Sequence, residues 1–327
     1  MEKLNRSPFF YVGDKYKLLK QLLPLFPENI EGRFVEPFVG GGSVYLNTKY
    51  KNYLLNDSNE HVVKLHKFLS SFKSVEVLMI EAEKIIKKYN LSYSYKIQDF
   101  DQKLVSKFPK TYFAEMNREN YLALRTKFNK NQDQNLMELY ILMIYGFNRM
   151  LRFNSIGEFN IPVGNVDFNE NVFNALNNYV KVNKSKNVKF STDDFKDFFS
   201  NNTFDSKDLI YVDPPYLISN SEYNKYWTED DDLMLYDELD RLNDKKIKFV
   251  LSNILSHKGL ENKVLKKWSK KYNLQHISSN YISYHDNSQK KSKEVVITNF
   301  NVWKKILFIS QTTTLWTIFY ILFFFKK

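Results

Sequence analysis

Short apolar runs that end in polar loops alternate with amphipathic stretches near both ends of this 327-residue chain. Before residue 60, "RFVEPFVGGGSVYLN" and "YLLNDSNEH" each predict a short strand that leads into a loop. From about 173 to 300, "NVKFSTDDF", "DLIYVDPPY", "IKFVLSN" and "KEVVITNF" predict strands, while "DDLMLYDELDRLN" and "ENKVLKKWSKKYN" predict helices. Strands that alternate with helices indicate a parallel α/β sheet.

The middle of the chain has a different pattern. Between 61 and 172, apolar residues recur at helical spacing, as in "ENYLALRTKFN" and "LMELYILMIYGFNRM", and a loop rich in glycine, asparagine and proline follows. We therefore predict one discontinuous α/β domain, formed by 1–60 and 173–300, and a mostly helical insertion formed by 61–172.

Composition adds a few constraints. Hydrophobic residues make up 43% of the chain, enough for a large core, and the net charge of +11 favours a polyanionic partner, with nucleic acid first. The basic residues are mostly lysine, however, and an AT-rich genome produces the same bias. The lack of cysteine excludes disulfides and thiolate metal sites, the five scattered histidines lack zinc spacing, and we expect no metal. The N-terminus has no apolar stretch typical of a signal peptide, so we expect a cytoplasmic location.

A glycine-rich turn follows the first predicted strand. In "FVEPFVGGGSV" the strand ends at Glu36, and glycines 40–42 precede a predicted helix. Ligands of open α/β sheets lie beyond the carboxyl ends of strands, and glycine lets the backbone approach them closely. Asp57 follows the next strand at a distance at which an acid can bind a ribose hydroxyl. The pair suggests a cofactor that contains a nucleoside, although a simple glycine turn and a capping aspartate have the same pattern.

A second acid ends a predicted central strand, in "LIYVDPPY". Asp213 is followed by Pro214 and Pro215, which stiffen the loop and present carbonyl oxygens, and by the flat ring of Tyr216. These residues suit an exocyclic amino group on a planar base. Asp213 and the Pro214 carbonyl can accept its two N–H bonds, so that the nitrogen lone pair becomes nucleophilic. The alternative is a tight turn with an aspartate cap.

"DPPY" and "EPFVGGGSV" together resemble the Dam-type (D12 class) DNA adenine-N6 methyltransferases, which use S-adenosylmethionine. Their order along the chain also resembles that family, as do "FFYVGDKYKLL", "GFNRMLRFNSIGEFNIPVGN", "SNILSHKGLENKVLKKW" and "EVVITNF". The likeness extends over about 5–300, and it is strongest to GATC-modifying enzymes of restriction–modification systems. It implies a Rossmann-like methyltransferase sheet with an inserted helical target-recognition domain.

The resemblance also implies roles for individual residues. Phe147 corresponds to an aromatic residue that inserts into the duplex, and Arg152 to an arginine that reads a base. Phe10 stands where the family often has a lysine that helps to read a guanine, which weakens the transfer of the first-base contact but not that of the recognition loop. The catalytic residues would be Asp213, Pro214, Pro215 and Tyr216; the cofactor residues would be Tyr11, Lys15, Glu36, Pro37, Phe38, Gly40, Gly42, Asp57 and Asp213; and the DNA-binding residues would be Phe147, Asn148, Met150, Arg152, Asn154, Asn160 and Pro162.

Arginine placement supports DNA binding independently of the resemblance. Four of the seven arginines, Arg118, Arg125, Arg149 and Arg152, lie between 118 and 152 in a chain that otherwise uses lysine. Arginine is the residue that reads guanine with two hydrogen bonds and grips phosphate. Arg118 and Arg125 also fit a simpler role, as helix-surface arginines paired with acids.

We thus expect an enzyme that flips an adenine out of duplex DNA and methylates its N6, in GATC. A cognate restriction endonuclease that acts on the same site is the expected partner. The alternatives are an amino methyltransferase that acts on cytosine N4 or on RNA, and an inactive sequence-specific DNA-binding protein.

The last segment, 301–327, lies beyond the resemblance. It is apolar and aromatic, and 306–325 has about the length of a membrane span, which is about 20 residues. Ser310, Gln311 and Thr312–Thr314 lower the hydropathy of its first half. Three interpretations stay open: an added strand or helix packed on the domain, a non-native or frameshifted extension, and a membrane span. We expect the segment to be dispensable and membrane attachment to be absent.

Overall fold

The computed structural model describes residues 3–11, 13–97, 101–131, 135–219, 226–278 and 292–302. The strands are β1 (Arg33–Glu36), β2 (Asn52–Asn56), β3 (Asn187–Ser191), β4 (Leu209–Val212), β5 (Lys248–His257), β6 (Leu260–Glu261), β7 (Asn273–Ile277) and β8 (Lys293–Thr298). The α-helices are α1 (Leu19–Leu22), α2 (Glu60–Ser70), α3 (Val75–Lys88), α4 (Gln102–Lys107), α5 (Tyr112–Lys130), α6 (Leu136–Tyr145), α7 (Glu170–Lys184), α8 (Phe195–Asn201), α9 (Glu229–Asp244) and α10 (Lys263–Trp268). The architecture is mixed α/β, as the alternation of patterns predicts.

The chain forms two compact units. The first comprises Met1–Lys17 and Glu36–Asn201, and the second comprises Leu18–Val35 and Asn202–Lys327. The domain boundaries and the helical insertion predicted from the sequence stay a prediction.

The first unit contains the parallel pair β2 and β3, together with α2–α8. Helix α6 lies in its core: Met137–Tyr145 are all buried, because this helix is apolar on every side. Its one buried acid, Glu138, is compensated by Lys127 on α5, whose Nζ lies 2.6 Å from Oε1. Helix α2 begins at Asn59, whose side chain accepts hydrogen bonds from the His61 and Val62 N–H groups.

The second unit contains a mixed sheet in the order β1-β4-β5-β8-β7. Strands β1, β4 and β5 run parallel, β8 is antiparallel to β5, and β7 is antiparallel to β8. All four residues of β4 are buried, as expected for an apolar strand between two parallel neighbours. Buried Asp208, just before β4, forms a salt bridge with Arg33 on β1, with Nη2 2.7 Å from Oδ2.

The helix predicted after Gly42 was wrong. A single 3-10 turn, Tyr45–Asn47, lies there. Gly42 has φ +73°, a left-handed conformation that cannot continue into a right-handed helix. The Asn47 side chain then donates a hydrogen bond to the Ser43 carbonyl at 2.8 Å, and Thr48 returns to extended backbone.

The C-terminal segment from 303 lies outside the described residues, so none of its three interpretations is tested. Within the described ranges, no helix is long and apolar enough to cross a membrane.

Candidate active site

The glycine-rich turn in the first unit is built on left-handed backbone and close contacts. Gly40 and Gly42 have φ +48° and +73°. A Cβ on Gly42 would lie 2.2 Å from Cε1 of Tyr45, and one on Gly41 would lie 2.7 Å from Cβ of Tyr11. Only glycine therefore fits this turn, and it leaves backbone atoms uncovered by side chains.

Asp57, at the end of β2, holds the turn in place. Its Oδ2 accepts a hydrogen bond from the Gly40 N–H at 2.8 Å, and its Oδ1 accepts one from the Asn59 N–H at 2.9 Å. Burial raises the pKa of Asp57, and the two backbone hydrogen bonds act in the opposite direction. The capping role that the sequence left open for Asp57 is thus present. A carboxylate has further lone pairs, so a ligand hydroxyl can still bind to it.

His66, on α2, supports the same turn, and sequence reasoning missed it. Its Nε2 lies 2.8 Å from the Gly40 carbonyl and its Nδ1 lies 2.8 Å from the Tyr179 hydroxyl. A carbonyl only accepts, so Nε2 carries the hydrogen and Nδ1 accepts from Tyr179. The ring is 0% exposed, and burial lowers the pKa of His66 to about 4. The signal in the sequence was a histidine on the apolar face of α2.

The N-terminal segment approaches the turn. The Tyr11 ring lies 3.5 Å from the position of a Cβ on Gly40, and Ser43 donates a hydrogen bond to Oδ2 of Asp14 at 3.3 Å. Burial raises the pKa of Asp14. Lys15 is buried, and its Nζ lies 3.4 Å from the Gly13 carbonyl.

The other predicted cofactor residues of this unit are Glu36, Pro37 and Phe38, which precede the glycine turn. Glu36 is 2% exposed. The Pro37 carbonyl accepts a hydrogen bond from the Asn56 side chain at 3.0 Å, and the Phe38 ring packs 5.7 Å from that of Phe195. Tyr11, Gly40 and Asp57 therefore come together at one turn, braced by His66.

The second unit holds the other acidic motif. Asp213 follows buried β4, and the Tyr216 hydroxyl donates a hydrogen bond to its Oδ1 at 2.9 Å. The same hydroxyl lies 3.4 Å from Oε1 of Glu294 on β8, which is 1% exposed. Pro214 is buried, and Pro215 is partly exposed. Tyr216 thus orients the Asp213 carboxylate, and Glu294 is a neighbour that the sequence did not reveal.

The predicted DNA-binding residues lie on an irregular hairpin in the first unit. It begins at a 3-10 turn, Phe147–Arg149, and isolated bridges join Gly146 to Val163 and Phe153 to Phe159. Phe147 is 51% exposed, Met150 is partly exposed, and Pro162 is exposed.

Side chains also link the two arms of this hairpin. Nε of Arg152 donates a hydrogen bond to Oδ1 of Asn160 at 2.9 Å. Oδ1 of Asn154 accepts the N–H of Ile156 at 3.2 Å and that of Glu158 at 2.8 Å. The predicted contact residues Arg152, Asn154 and Asn160 are therefore held in fixed orientations.

Two arginines that the sequence grouped with this segment differ in role. Nη1 of Arg125 on α5 donates a hydrogen bond to the Ile161 carbonyl at 3.0 Å, so it supports the hairpin. Arg118 forms an exposed salt bridge with Glu115, 2.6 Å from Nη2 to Oε1, as in the simpler interpretation.

Comparisons with known proteins identify the family of this chain. The profile of the family described as D12 class N6 adenine-specific DNA methyltransferase matches residues 11–283. The chain is 37% identical over 311 residues to the type II methyltransferase M.FokI of Planomicrobium okeanokoites, covering 92% of this chain and 44% of that protein. It is 36% identical over 311 residues to the modification methylase StsI of Streptococcus sanguinis, covering 91% of this chain and 43% of that protein. It is 29% identical over 230 residues to the DNA adenine methylase of Escherichia coli K12, covering 69% and 71%.

The chain thus spans less than half the length of the first two relatives. The family match includes the glycine turn, Asp57, the hairpin and Asp213–Tyr216. On this basis, the chain belongs to the D12 class of N6 adenine-specific DNA methyltransferases.

Proposed function

We propose that this chain transfers a methyl group from S-adenosylmethionine to N6 of an adenine flipped out of duplex DNA. The observation that carries the proposal is the Asp213 carboxylate, which lies at the end of a buried strand and accepts a hydrogen bond from Tyr216 at 2.9 Å. An oriented acceptor followed by two prolines and an aromatic ring suits a planar base with an exocyclic amine.

In this proposal each residue of the motif has a defined task. Asp213 and the Pro214 carbonyl accept the two N–H bonds of adenine N6, which directs the nitrogen lone pair away from the ring. Pro215 keeps the loop stiff, and the Tyr216 ring covers one face of the base. Since Tyr216 also donates to Asp213, the carboxylate is oriented before the base arrives, and such preorganisation lowers the barrier.

The first unit is the proposed cofactor site. Its glycine turn offers backbone that a Cβ would cover, and Asp57 offers carboxylate oxygens for a ribose hydroxyl, so these residues fit S-adenosylmethionine. The cofactor, when bound, supplies the methyl carbon that the N6 lone pair attacks, and S-adenosylhomocysteine and a proton are the other products. Tyr11, Lys15 and Phe38 would complete the walls, and Glu36 and Pro37 would precede the turn.

The hairpin is the proposed DNA-reading element. Exposed Phe147 would enter the stack that the flipped adenine leaves, and Arg152 would read a base from the orientation that Asn160 fixes. The finer fold is then a Rossmann-like methyltransferase sheet with an inserted recognition domain. The segment resembles that of GATC-modifying enzymes, so GATC is the proposed site.

A restriction endonuclease of the same specificity is the proposed biological partner. Its basis is that two relatives are named a type II methyltransferase and a modification methylase. The chain spans less than half the length of either relative, so their activity and their partner are assigned to this chain only as proposals.

Methylation by the purified chain tests this function directly. Duplexes with and without GATC are incubated with S-adenosylmethionine labelled in the methyl group, and the DNA is then digested to nucleosides. We expect label in N6-methyladenine. Asp213→Ala should lower the rate on the order of 10²–10³-fold, because one preorganised acceptor is lost. The matched control is Asp230→Ala, which removes an exposed acid from the same unit.

Other results would favour the alternatives. Label in N4-methylcytosine would show that the substrate is cytosine, and label in RNA would show that the substrate is RNA. Tight, sequence-dependent DNA binding without any transfer would identify an inactive DNA-binding protein.

A further inference from the structure

Two arginines converge on one aromatic ring in the first unit. Cζ of Arg149 lies 3.9 Å from the ring centre of Phe10, and Cζ of Arg6 lies 5.0 Å from it. We call Arg6, Phe10 and Arg149 the arginine–phenylalanine cluster. It adjoins the hairpin, since Arg149 follows Phe147 and Asn148 in the same 3-10 turn.

Arg149 carries a buried Nε that has no hydrogen-bond partner among the described residues. Asp167 is near enough to attract its charge, but the Asp167 carboxylate already accepts hydrogen bonds from the N–H and the hydroxyl of Ser94, at 2.6 and 2.8 Å. A buried donor without a partner is unfavourable, so this arrangement points to an absent acceptor.

The electrostatic setting supports this interpretation. Burial lowers the pKa of the Arg149 guanidinium, and the positive charge of Arg6 lowers it further, while Tyr140 and Asp167 act in the opposite direction. Arg149 remains charged at neutral pH, because an arginine pKa lies far above 7. The Arg149 guanidinium is partly buried and lies near the positive charge of Arg6, so this site attracts an electron-rich hydrogen-bond acceptor.

The backbone of the cluster is held in an unfavourable conformation. Phe10, Asn148 and Arg149 all have positive φ, at 48°, 52° and 53°. Side chains other than glycine rarely adopt this region, and such strain is concentrated at functional sites. Two of the three, Phe10 and Arg149, are the residues whose side chains are in contact.

A group that binds Arg149 must match a planar guanidinium with one face covered. The Phe10 ring covers one face of the Arg149 guanidinium, since Cζ lies 3.9 Å from the ring centre. The edge that carries the two Nη atoms matches two acceptors in one plane. Guanine presents such a pair, O6 and N7, in the major groove. A contact to phosphate would need no such stack, since phosphate contacts carry position and not sequence.

We propose that Arg149, held in orientation by Phe10, reads one guanine of the recognition sequence through its O6 and N7. This inference rests on the proposed function and adds a specificity residue that the family match does not name. Arg6, which is exposed, supplies positive charge beside that contact.

The experiment combines protein variants with single-atom changes in the DNA. Each guanine of the duplex is replaced in turn by 7-deazaguanine, which lacks the N7 acceptor. Methylation of every duplex is measured as kcat/KM for the unaltered chain, Arg149→Gln, Arg149→Lys and Arg118→Gln. Arg118→Gln is the matched control, because it changes an exposed arginine paired with Glu115. Thermal unfolding of each variant shows that it is folded.

One guanine should depend on Arg149. We expect the unaltered chain to lose roughly 10-fold in kcat/KM when that guanine lacks N7, because one of the two hydrogen bonds of a bidentate contact is removed. The Arg149→Gln variant should show a similar decrease in kcat/KM on unmodified DNA. Replacing that guanine by 7-deazaguanine should then cause no further decrease in this variant. Arg149→Lys should not restore discrimination, because a lysine is a point charge without the planar edge. Arg118→Gln should behave like the unaltered chain.

Three results would overturn the inference. An equal loss on all duplexes, with a weaker salt dependence and rescue by Arg149→Lys, would indicate a phosphate contact. A change confined to the KM of S-adenosylmethionine would place Arg149 at the cofactor. Unchanged kcat/KM and discrimination would make the cluster structural.

Each of these failures leaves adenine methylation by the unaltered chain intact, so the proposed function would survive it. If the unaltered chain transferred no methyl group, the proposed function would fail instead. The same guanine comparison would then be made by fluorescence anisotropy of DNA binding.

Discussion

Tyr216→Phe is the sharpest test of the geometry around Asp213. The change removes one hydroxyl and keeps the ring. That hydroxyl donates to Oδ1 of Asp213 at 2.9 Å and lies 3.4 Å from Oε1 of buried Glu294. Any stacking of the ring on a base is retained, so the variant isolates the orientation of the Asp213 carboxylate.

The size of the effect follows from the two distances and from exposure. A hydrogen bond to a charged group contributes about 1.5–3 kcal/mol. The 2.9 Å contact is of ordinary length, whereas the 3.4 Å contact is long, so Asp213 is the main acceptor. Asp213 is partly exposed, which lets water replace the lost donor and favours the lower end of that range. About 1.5 kcal/mol corresponds to a roughly tenfold decrease in kcat.

The assay is steady-state methyl transfer to one duplex at varied concentrations of S-adenosylmethionine. We expect kcat to fall while the KM for the cofactor stays the same. Tyr272→Phe is the matched control, because its hydroxyl donates to Oδ1 of Asp240 at 2.6 Å in the same unit, outside the motif. Equal rates for Tyr216→Phe and Tyr272→Phe would refute the orienting role of Tyr216.

Two further predictions concern the glycine turn. Burial lowers the pKa of His66 to about 4, whereas the pKa of a histidine in an unfolded chain is about 6.5. Between these two values the unfolded state binds more protons than the folded state. The free energy of unfolding should therefore decrease as pH falls through this window, by up to about 3 kcal/mol. Urea unfolding at pH 7 and pH 5 measures this decrease, and an equally steep decrease in His66→Gln would contradict it. Gly42→Ala should destabilise the chain by more than the roughly 1–2 kcal/mol that left-handed backbone costs, because the new Cβ would lie 2.2 Å from Tyr45. Gly13→Ala is the control, because Gly13 also has a positive φ but has open space around the new Cβ, so only the backbone cost is expected. Equal melting temperatures of the two variants would contradict the role of the contact with Tyr45.

The sequence by itself determined the local structure around the two acidic motifs. The apolar run before Asp213 predicts a buried strand, and β4 is buried along its whole length. The same reasoning located β1, β2, β5 and β8. Such elements are predictable because hydrophobic spacing and the residues that end a strand act between near neighbours. The spacing of the motifs was also enough to indicate the family.

Tertiary structure decided which side chains meet. His66 bonds to Gly40 across 26 positions, and Tyr216 approaches Glu294 across 78, separations at which no periodic pattern carries information. The orientation of Arg149 likewise depends on Phe10, far away in the chain, and on a left-handed backbone at both residues. The predicted helix after Gly42 failed for the same reason, since a close contact with Tyr45 and a left-handed φ override local helix preference there. Hydrophobic pattern therefore fixes elements, whereas the partners of buried polar groups are set only when the chain packs.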